Sequence, residues 1–199
     1  MKLYIVRHAE KRGGDYYNPT LKHQDQPINK KGKSESRKLY QYFKDKHITR
    51  IFISSYIRTR QTIEFTSKKL RIPPVVDSRL NEIDNGVIEQ LTDEEIRITY
   101  PDIWLAYSNR SSDFRFPEGE TGEEAQERIT GFIEEKKHTA GNTILVTHER
   151  LMRALFCYVV GIPVYKRFDF RIDTCGIMEI EQQYNSDEWK LIRFNHKTT

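Results

Sequence analysis

Leu3-Tyr4-Ile5-Val6-Arg7-His8 opens the chain with four apolar residues that stop at two ionisable ones. A short apolar run of this kind reads as a strand buried on both faces, as in a parallel sheet. The charged pair then falls at the strand's carboxyl end, where ligands bind in open α/β sheets. The same arrangement recurs further along. Residues 50–53 form a second short apolar run, followed by Ser54-Ser55, which offers N-cap chemistry for a helix over residues 57–70. Pro73-Pro74 stops that helix, and Val75-Val76 predicts a third short strand. Residues 143–147 are the most apolar strand of the sequence and run directly into His148.

The segments between these strands read as helices and loops. Leu39, Tyr42 and Phe43 lie at helical spacing within residues 33–46, and residues 150–160 form a helix closed by Gly161 and Pro163. Thr92-x-x-Glu95 and Thr121-x-x-Glu124 are capping boxes that open helices over residues 92–100 and from 121 to about 137. Residues 11–31 are polar, contain Gly13-Gly14, and read as a surface loop. Residues 176–181 and 188–194 alternate like two strands about a turn at Asn185-Ser186. Strands separated by helices predict an α/β fold, a three-layer α/β/α sandwich with a mainly parallel central sheet. Neither a repeat nor a linker divides the sequence, so residues 1–199 are expected to form one domain.

Composition narrows the function classes. The 199 residues are 37% hydrophobic and 12% aromatic, enough for a substantial core, and the 31% charged residues describe a solvated surface. A net charge of +4, with no basic block, argues against a nucleic-acid partner and fits a small anionic substrate. The two cysteines, Cys157 and Cys175, lie among apolar residues and read as buried reduced thiols of a cytoplasmic protein. Met1 leads straight into the first strand, and no apolar run approaches the roughly 20 residues that cross a bilayer, so neither a signal peptide nor a membrane partner is expected. The chain is expected to be a monomer or homodimer.

Arg7 and His8 follow the first strand, Arg58 the second by one turn, Glu82 the third, and His148 the strand that ends at Thr147. Two histidines, two arginines and a carboxylate can therefore meet at one end of the sheet. Each is unremarkable alone, since a lone His after a strand is more often structural. Together they form an anion site, because guanidinium forks bind phosphate oxygens bidentately.

These residues carry a family resemblance. Leu3-Tyr4-Ile5-Val6-Arg7-His8-Ala9-Glu10 resembles the opening strand and "RHG" signature of the histidine phosphatases, the phosphoglycerate mutase-like superfamily. Pro27-Ile28-Asn29-Lys30-Lys31-Gly32 is similar to its "PLTxxG" segment, and Ser54-Ser55-Tyr56-Ile57-Arg58-Thr59-Arg60-Gln61-Thr62 to "SxxxRAxQT". Leu80-Asn81-Glu82 resembles "LxE", Pro117-Glu118-Gly119-Glu120-Thr121 "PGGES", and Val146-Thr147-His148 "VSH". The six matches stand in family order between residue 3 and about residue 181, so the resemblance spans nearly the whole chain.

The resemblance implies a phosphoglycerate mutase-like fold and a metal-independent, cofactor-free phosphomonoester hydrolase with inorganic phosphate as product and inhibitor. His8 would attack phosphorus and become phosphohistidine. Arg7, Arg58 and His148 would neutralise the transferring group's oxygens, and Glu82 would protonate the leaving oxygen and then activate water. Three departures stand out. Ala9 replaces the glycine after the nucleophile; the family's loop asparagine has no clean counterpart, leaving Asn18 as the candidate substrate contact and His23 unassigned; and Glu149-Arg150 follows His148 where glycines are common. Glu149 is thus a candidate at the pocket rim, and a second candidate for the proton donor, because another branch of the family places an acid directly after that histidine. Mutase-type phosphoryl transfer and a non-catalytic phospho-ligand module are the alternatives. The physiological substrate stays open: pocket specificity is assigned to residues 11–26 and 84–115, where Ile103, Trp104 and Tyr107 read as a helix packing face.

Overall fold

The computed structural model describes residues 1–21, 23–183 and 188–198. In chain order the elements are β1 (Lys2–Arg7), β2 (Tyr17–Asn18), β3 (His23–Gln24), α1 (Lys30–Phe43), β4 (Ile48–Ile53), α2 (Ile57–Leu70), β5 (Pro74–Val76), α3 (Asp93–Thr99), α4 (Pro101–Asn109), α5 (Gly122–Glu135), β6 (Asn142–Thr147), α6 (Glu149–Val160), β7 (Ile177–Gln182) and β8 (Trp189–His196). Single 3₁₀ segments lie at Ser78–Leu80, Gly86–Gln90 and Val164–Asp169.

Six strands form one sheet in the order β5-β4-β6-β1-β7-β8. The β5-β4-β6-β1 part is parallel, and β7 and β8 continue it antiparallel. Period-two alternation along the strands divides the core in two. Leu3, Ile5, Leu145, Met178 and Ile180 pack against Ile129, Phe132 and Ile133 of α5 and Leu151 and Leu155 of α6. Tyr4, Val6, Ile53, Ile144 and Val146 pack on the other face against Leu39 and Phe43 of α1 and Ile63 of α2. The result is the expected three-layer α/β/α sandwich. No helix among the described residues is long and apolar enough to cross a membrane.

Several local expectations hold to within a residue or two. Both capping boxes form, at Thr92/Glu95 and Thr121/Glu124, and Gly161 closes α6 in the left-handed conformation. Cys157 and Cys175 are buried and free, and burial pushes their thiols up to about 11 and about 12. Others need correction. Residues 11–31 are not one loop: β2 and β3 pair as a two-stranded ladder, and Lys11 bridges to Ile28. Neither Ser54 nor Ser55 caps α2. Tyr56 occupies the cap position without a side-chain bond, and the Ile57 N–H donates instead to Asp25 Oδ1 at 2.8 Å. The tail strands β7 and β8 pair as expected, while the Asn185-Ser186 turn lies outside the described residues.

The carboxyl ends of the parallel strands are brought level by register. Arg7 of β1 stands opposite Thr147 of β6, and Ile53 of β4 opposite Val146. The His8 N–H then donates to the Thr147 carbonyl at 2.9 Å. His8, Ser54 and His148 therefore leave the same edge of the sheet side by side.

Candidate active site

His8 is buried, and its Nδ1–H donates to its neighbour's carbonyl, Ala9 O, at 2.8 Å. A carbonyl can only accept, so the proton is on Nδ1 and Nε2 keeps its lone pair. Burial, and then the charge of Arg58, hold the imidazole's pKa well below its ordinary value, which keeps that lone pair available at neutral pH. The turn after His8 is pinned from α2. The Ala9 N–H donates to Thr62 Oγ1 at 2.8 Å, and the Thr62 hydroxyl donates to the Arg58 carbonyl at 2.7 Å. The Ile28 N–H donates to Gln61 Oε1. Gln61-Thr62 thus couple the first strand's loop to the helix that carries Arg58. Gly32 lets α1 approach that same loop, since a Cβ there would stand 2.4 Å from the Glu10 carbonyl oxygen.

His148 is wholly buried beside His8, with ring centroids 5.2 Å apart. Arg58 Nη2 donates to His148 Nδ1 at 3.1 Å, and Ser54 Oγ lies 2.9 Å from Nε2. Because guanidinium only donates, Nδ1 must accept, and the proton sits on Nε2 facing Ser54. The chain continues from Ser54 to Thr59 Oγ1 at 3.0 Å, which donates to the Tyr56 carbonyl at 2.8 Å. Burial, followed by the charges of Arg58 and His8, pushes the His148 pKa well down. His148 is therefore neutral here and accepts from Arg58. Arg58 also lies over the Tyr56 ring at 4.2 Å and donates to the Gln24 carbonyl at 3.2 Å.

Arg7 is held from behind. Its Nη1 donates to the Ile172 carbonyl at 2.5 Å and pairs with Glu149 Oε2 at 2.9 Å. Glu149 Oε1 is engaged by Arg153 and by the Ile172 N–H. Both oxygens of Glu149 are thus engaged, and through Arg7 and Arg153 it ties two guanidinium groups together at the pocket's rim.

Glu82 projects from the turn after Ser78–Leu80. Its Oε1 accepts the N–H groups of Ile83 at 3.0 Å and Leu151 at 3.1 Å, and its Oε2 that of Arg150 at 3.3 Å. The first turn of α6 therefore orients this carboxylate through its free N–H groups. The backbone that carries Glu82 is clamped in turn. Thr147 Oγ1 donates to the Leu80 carbonyl, and Arg128, paired with Glu120, donates to the carbonyls of Arg79 and Glu82. Glu120 Oε1 accepts the Asp84 N–H, and a Cβ on Gly119 would meet the Asp84 carbonyl oxygen at 2.5 Å. The Pro117–Thr121 segment is thus the seat of the acid's loop.

Arg7, His8, Arg58, Glu82 and Glu149 line one pocket of about 370 Å³, together with Glu10, Lys11, Asn85, Glu89, Arg150 and Thr174. His148 stands directly behind it on Arg58. Asn18 does not line this pocket: its amide donates to Asp25 Oδ2 at 3.3 Å, so it supports the residue that caps α2. His23 is buried against Tyr56 and its Nε2 lies 3.1 Å from Asp84 Oδ1, joining the β2–β3 ladder to the acid's loop. Lys11 and Asn85 fall in the two regions to which the sequence assigned pocket specificity, though neither was singled out, and Ser54's bond to His148 was not foreseen. Only the position of Ser54 at a strand end could have signalled the last of these.

His8, Arg7, Arg58 and Glu82 thus meet at the carboxyl edge of a parallel sheet, and the chain belongs to the histidine phosphatase superfamily (branch 1), whose family model matches residues 3–197. The chain is similar to Phosphoserine phosphatase 1 of Hydrogenobacter thermophilus, at 27% identity over 93% of this chain and 89% of that one. It is similar at 28% identity, over 92% of this chain and 86% of the other, to a protein of Escherichia coli K12 named Probable phosphoglycerate mutase GpmB. Among solved structures, mycobacterial glucosyl-3-phosphoglycerate phosphatase in complex with inorganic phosphate shares the fold, with a TM-score of 0.82 at 18% identity, covering 99% of this chain and 98% of that one. The alpha-ribazole phosphatase from Shigella flexneri does so at 0.80 and 19%, covering 98% and 96%.

Proposed function

We propose that the protein is a phosphomonoester hydrolase that passes the phosphoryl group through His8, with residues 1–199 acting as one domain in the cytoplasm. The observation that carries this reading is the tautomer of His8: Nδ1–H is committed to Ala9 O, which leaves Nε2 as a neutral nucleophile in a pocket lined by Arg7 and Arg58. In the first step Nε2 bonds to phosphorus, the ester P–O bond breaks, and Glu82 gives its proton to the leaving oxygen. In the second, Glu82 takes a proton from water, the water oxygen bonds to phosphorus, the P–N bond breaks, and inorganic phosphate leaves. Arg7 and Arg58 stabilise charge on the non-bridging oxygens throughout, with His148 and Glu149 holding them in place. The substrate is a small phosphorylated molecule.

Transfer to an alcohol acceptor instead of water is the second reading, favoured by the similarity to the GpmB protein. One experiment addresses both. With a ³²P-labelled phosphomonoester, quenching in alkali should preserve a labelled enzyme and quenching in acid should lose it, because phosphohistidine is acid-labile. His8→Ala should abolish label and turnover together, and normal turnover in that variant would sink the reading. Recovery of label in an added alcohol, with little free phosphate, would assign the mutase reaction.

A further inference from the structure

A second cavity of about 180 Å³ opens beside the first, and the two share three walls, Asn85, Glu89 and Arg150. These three form a polar string: Arg150 Nη1 donates to Asn85 Oδ1 at 2.5 Å, and Asn85 Nδ2 to Glu89 Oε2 at 2.9 Å. Behind the string the chemistry changes. The main pocket is ringed by charged side chains, whereas the chamber adds Leu91, Ile96, Trp104 and Tyr107 to a lining that also carries Asp93. Trp104 and Tyr107 face it half-buried from α4, their ring centroids 6.0 Å apart at a 40° tilt. Tyr107 is held by ring contacts to Phe114, Phe116 and Phe168, so this wall is preorganised.

We propose that this chamber receives a flat apolar group, an aryl ring, carried by the alcohol half of the phosphomonoester, so that phosphate sits on Arg7 and Arg58 while the ring passes the Arg150–Asn85–Glu89 string to lie against Trp104 and Tyr107. The inference rests on the reading of the main pocket as the phosphoryl site and assigns the substrate class of that site. Its size fits, since an apolar cavity of roughly 150 Å³ holds a benzene ring. The aromatic wall of Trp104 and Tyr107 is what binds rings, and the polar groups of the lining would fix orientation.

The test compares non-hydrolysable ligands of equal charge on the wild-type protein. 2-Phenylethylphosphonate and ethylphosphonate, each competing with inorganic phosphate, are measured by calorimetry. The aryl ligand should bind more tightly by on the order of tenfold, the worth of burying most of a ring. Trp104→Ala should bring the ratio of affinities close to one. Leu91→Trp, which fills the chamber from the opposite side, should do the same and serves if the first variant is unstable. A wild-type ratio near one overturns the proposal, as does an aryl preference that survives both variants, or failure of both ligands to bind where inorganic phosphate does. Tighter binding of 2-trimethylammonioethylphosphonate than of the aryl ligand also overturns it, in favour of a cation cage. Full turnover by His8→Ala would sink the hydrolase reading while leaving this ratio intact, so the two failures are distinguishable.

Discussion

The edge of the sheet that carries His8, Arg58 and His148 and the cap formed by residues 84–116 face the same pocket but are built by opposite means. At the sheet edge the three side chains are 6%, 6% and 0% exposed, and the segments that carry them are tied to others far away in sequence. Ala9 is bonded to Thr62, Ser54 and Arg58 to His148, and Thr147 to the Leu80 carbonyl. The cap consists of two short helices, Asp93–Thr99 and Pro101–Asn109, which present Ile98 and Leu105 to solvent at 71% and 58% exposure. Helices of that length are marginal alone and depend on packing, here through Tyr107 onto the phenylalanine cluster. The contrast teaches a division of labour. Side-chain geometry at the sheet edge is over-determined by hydrogen bonds that fix the tautomers of His8 and His148, while the cap is held mainly by shape and ring contacts.

The comparison is broken most severely at Arg58. Arg58→Ala should lower kcat/KM by about a hundredfold or more, since it removes a preorganised charged donor and the partner of His148 Nδ1 together. Arg58→Lys should recover little, because an ammonium cannot make the fork contact. Steady-state kinetics with p-nitrophenyl phosphate checks both, and wild-type values in either variant would show the cradle to be less determined than its bonds suggest.

A smaller loss is expected from behind the cradle. Glu149→Gln leaves Arg7 without its carboxylate and should cost about tenfold in kcat/KM, the scale of weakening one charge-assisted bond. The loss should be the same for p-nitrophenyl phosphate and for an alkyl phosphate, because Glu149 positions Arg7. Glu82→Gln should hurt the alkyl ester far more, since the poorer leaving group needs its proton. If Glu149→Gln shows that selectivity and Glu82→Gln does not, the two carboxylates exchange roles.

The buried histidines carry a pH signature that the cap lacks. Both His8 and His148 have pKa values depressed well below the ordinary 6.5 by burial. The unfolded chain therefore takes up protons near pH 6.5 that the folded chain refuses. Stability is fully present above that pH and falls as pH drops below it, by up to about 1.4 kcal/mol per pH unit for each histidine. Thermal melts between pH 7.5 and 5.5 should show this decline, and His148→Gln should reduce its slope by one group's share. An unchanged slope would mean that His148 is protonated in the fold.

The smallest effect belongs to the cap. Thr92→Ala removes a capping box at the edge of the chamber and should cost about 1 kcal/mol of local stability, read as faster amide exchange across α3. Exchange at residues 143–148 should not respond. Parallel acceleration there would show that the two regions open as one.

Much of this was legible before the fold was known, for identifiable reasons. Strand periodicity, capping boxes and a histidine at a strand end are local patterns, and they located β1, β6, α3, α5 and both histidines to within a residue or two. Ser54 shows the limit. A serine before a helix reads as an N-cap, yet Asp25 from a distant ladder took that task and released Ser54 to hold His148. Asn18 fell one shell short of the pocket for the same reason: it was matched by order along the chain, whereas distance from the phosphate site depends on how residues 11–26 fold back. Ile103, Trp104 and Tyr107 did form a helix face, but its half-buried side turned toward a cavity rather than solely into the core.

The sequence by itself determined which residues would stand at the carboxyl edge of a parallel sheet, because an apolar run of four to six residues ending in an ionisable one has few other ways to fold. Only the tertiary structure decided what those residues are to one another. The tautomer of His148 and the attachment of Glu149 to Arg7 and to the Ile172 N–H depend on partners that lie 23 to 142 positions away along the chain. Hydrogen bonds and burial belong to pairs of groups in space, and for these pairs no single stretch of sequence contains both members.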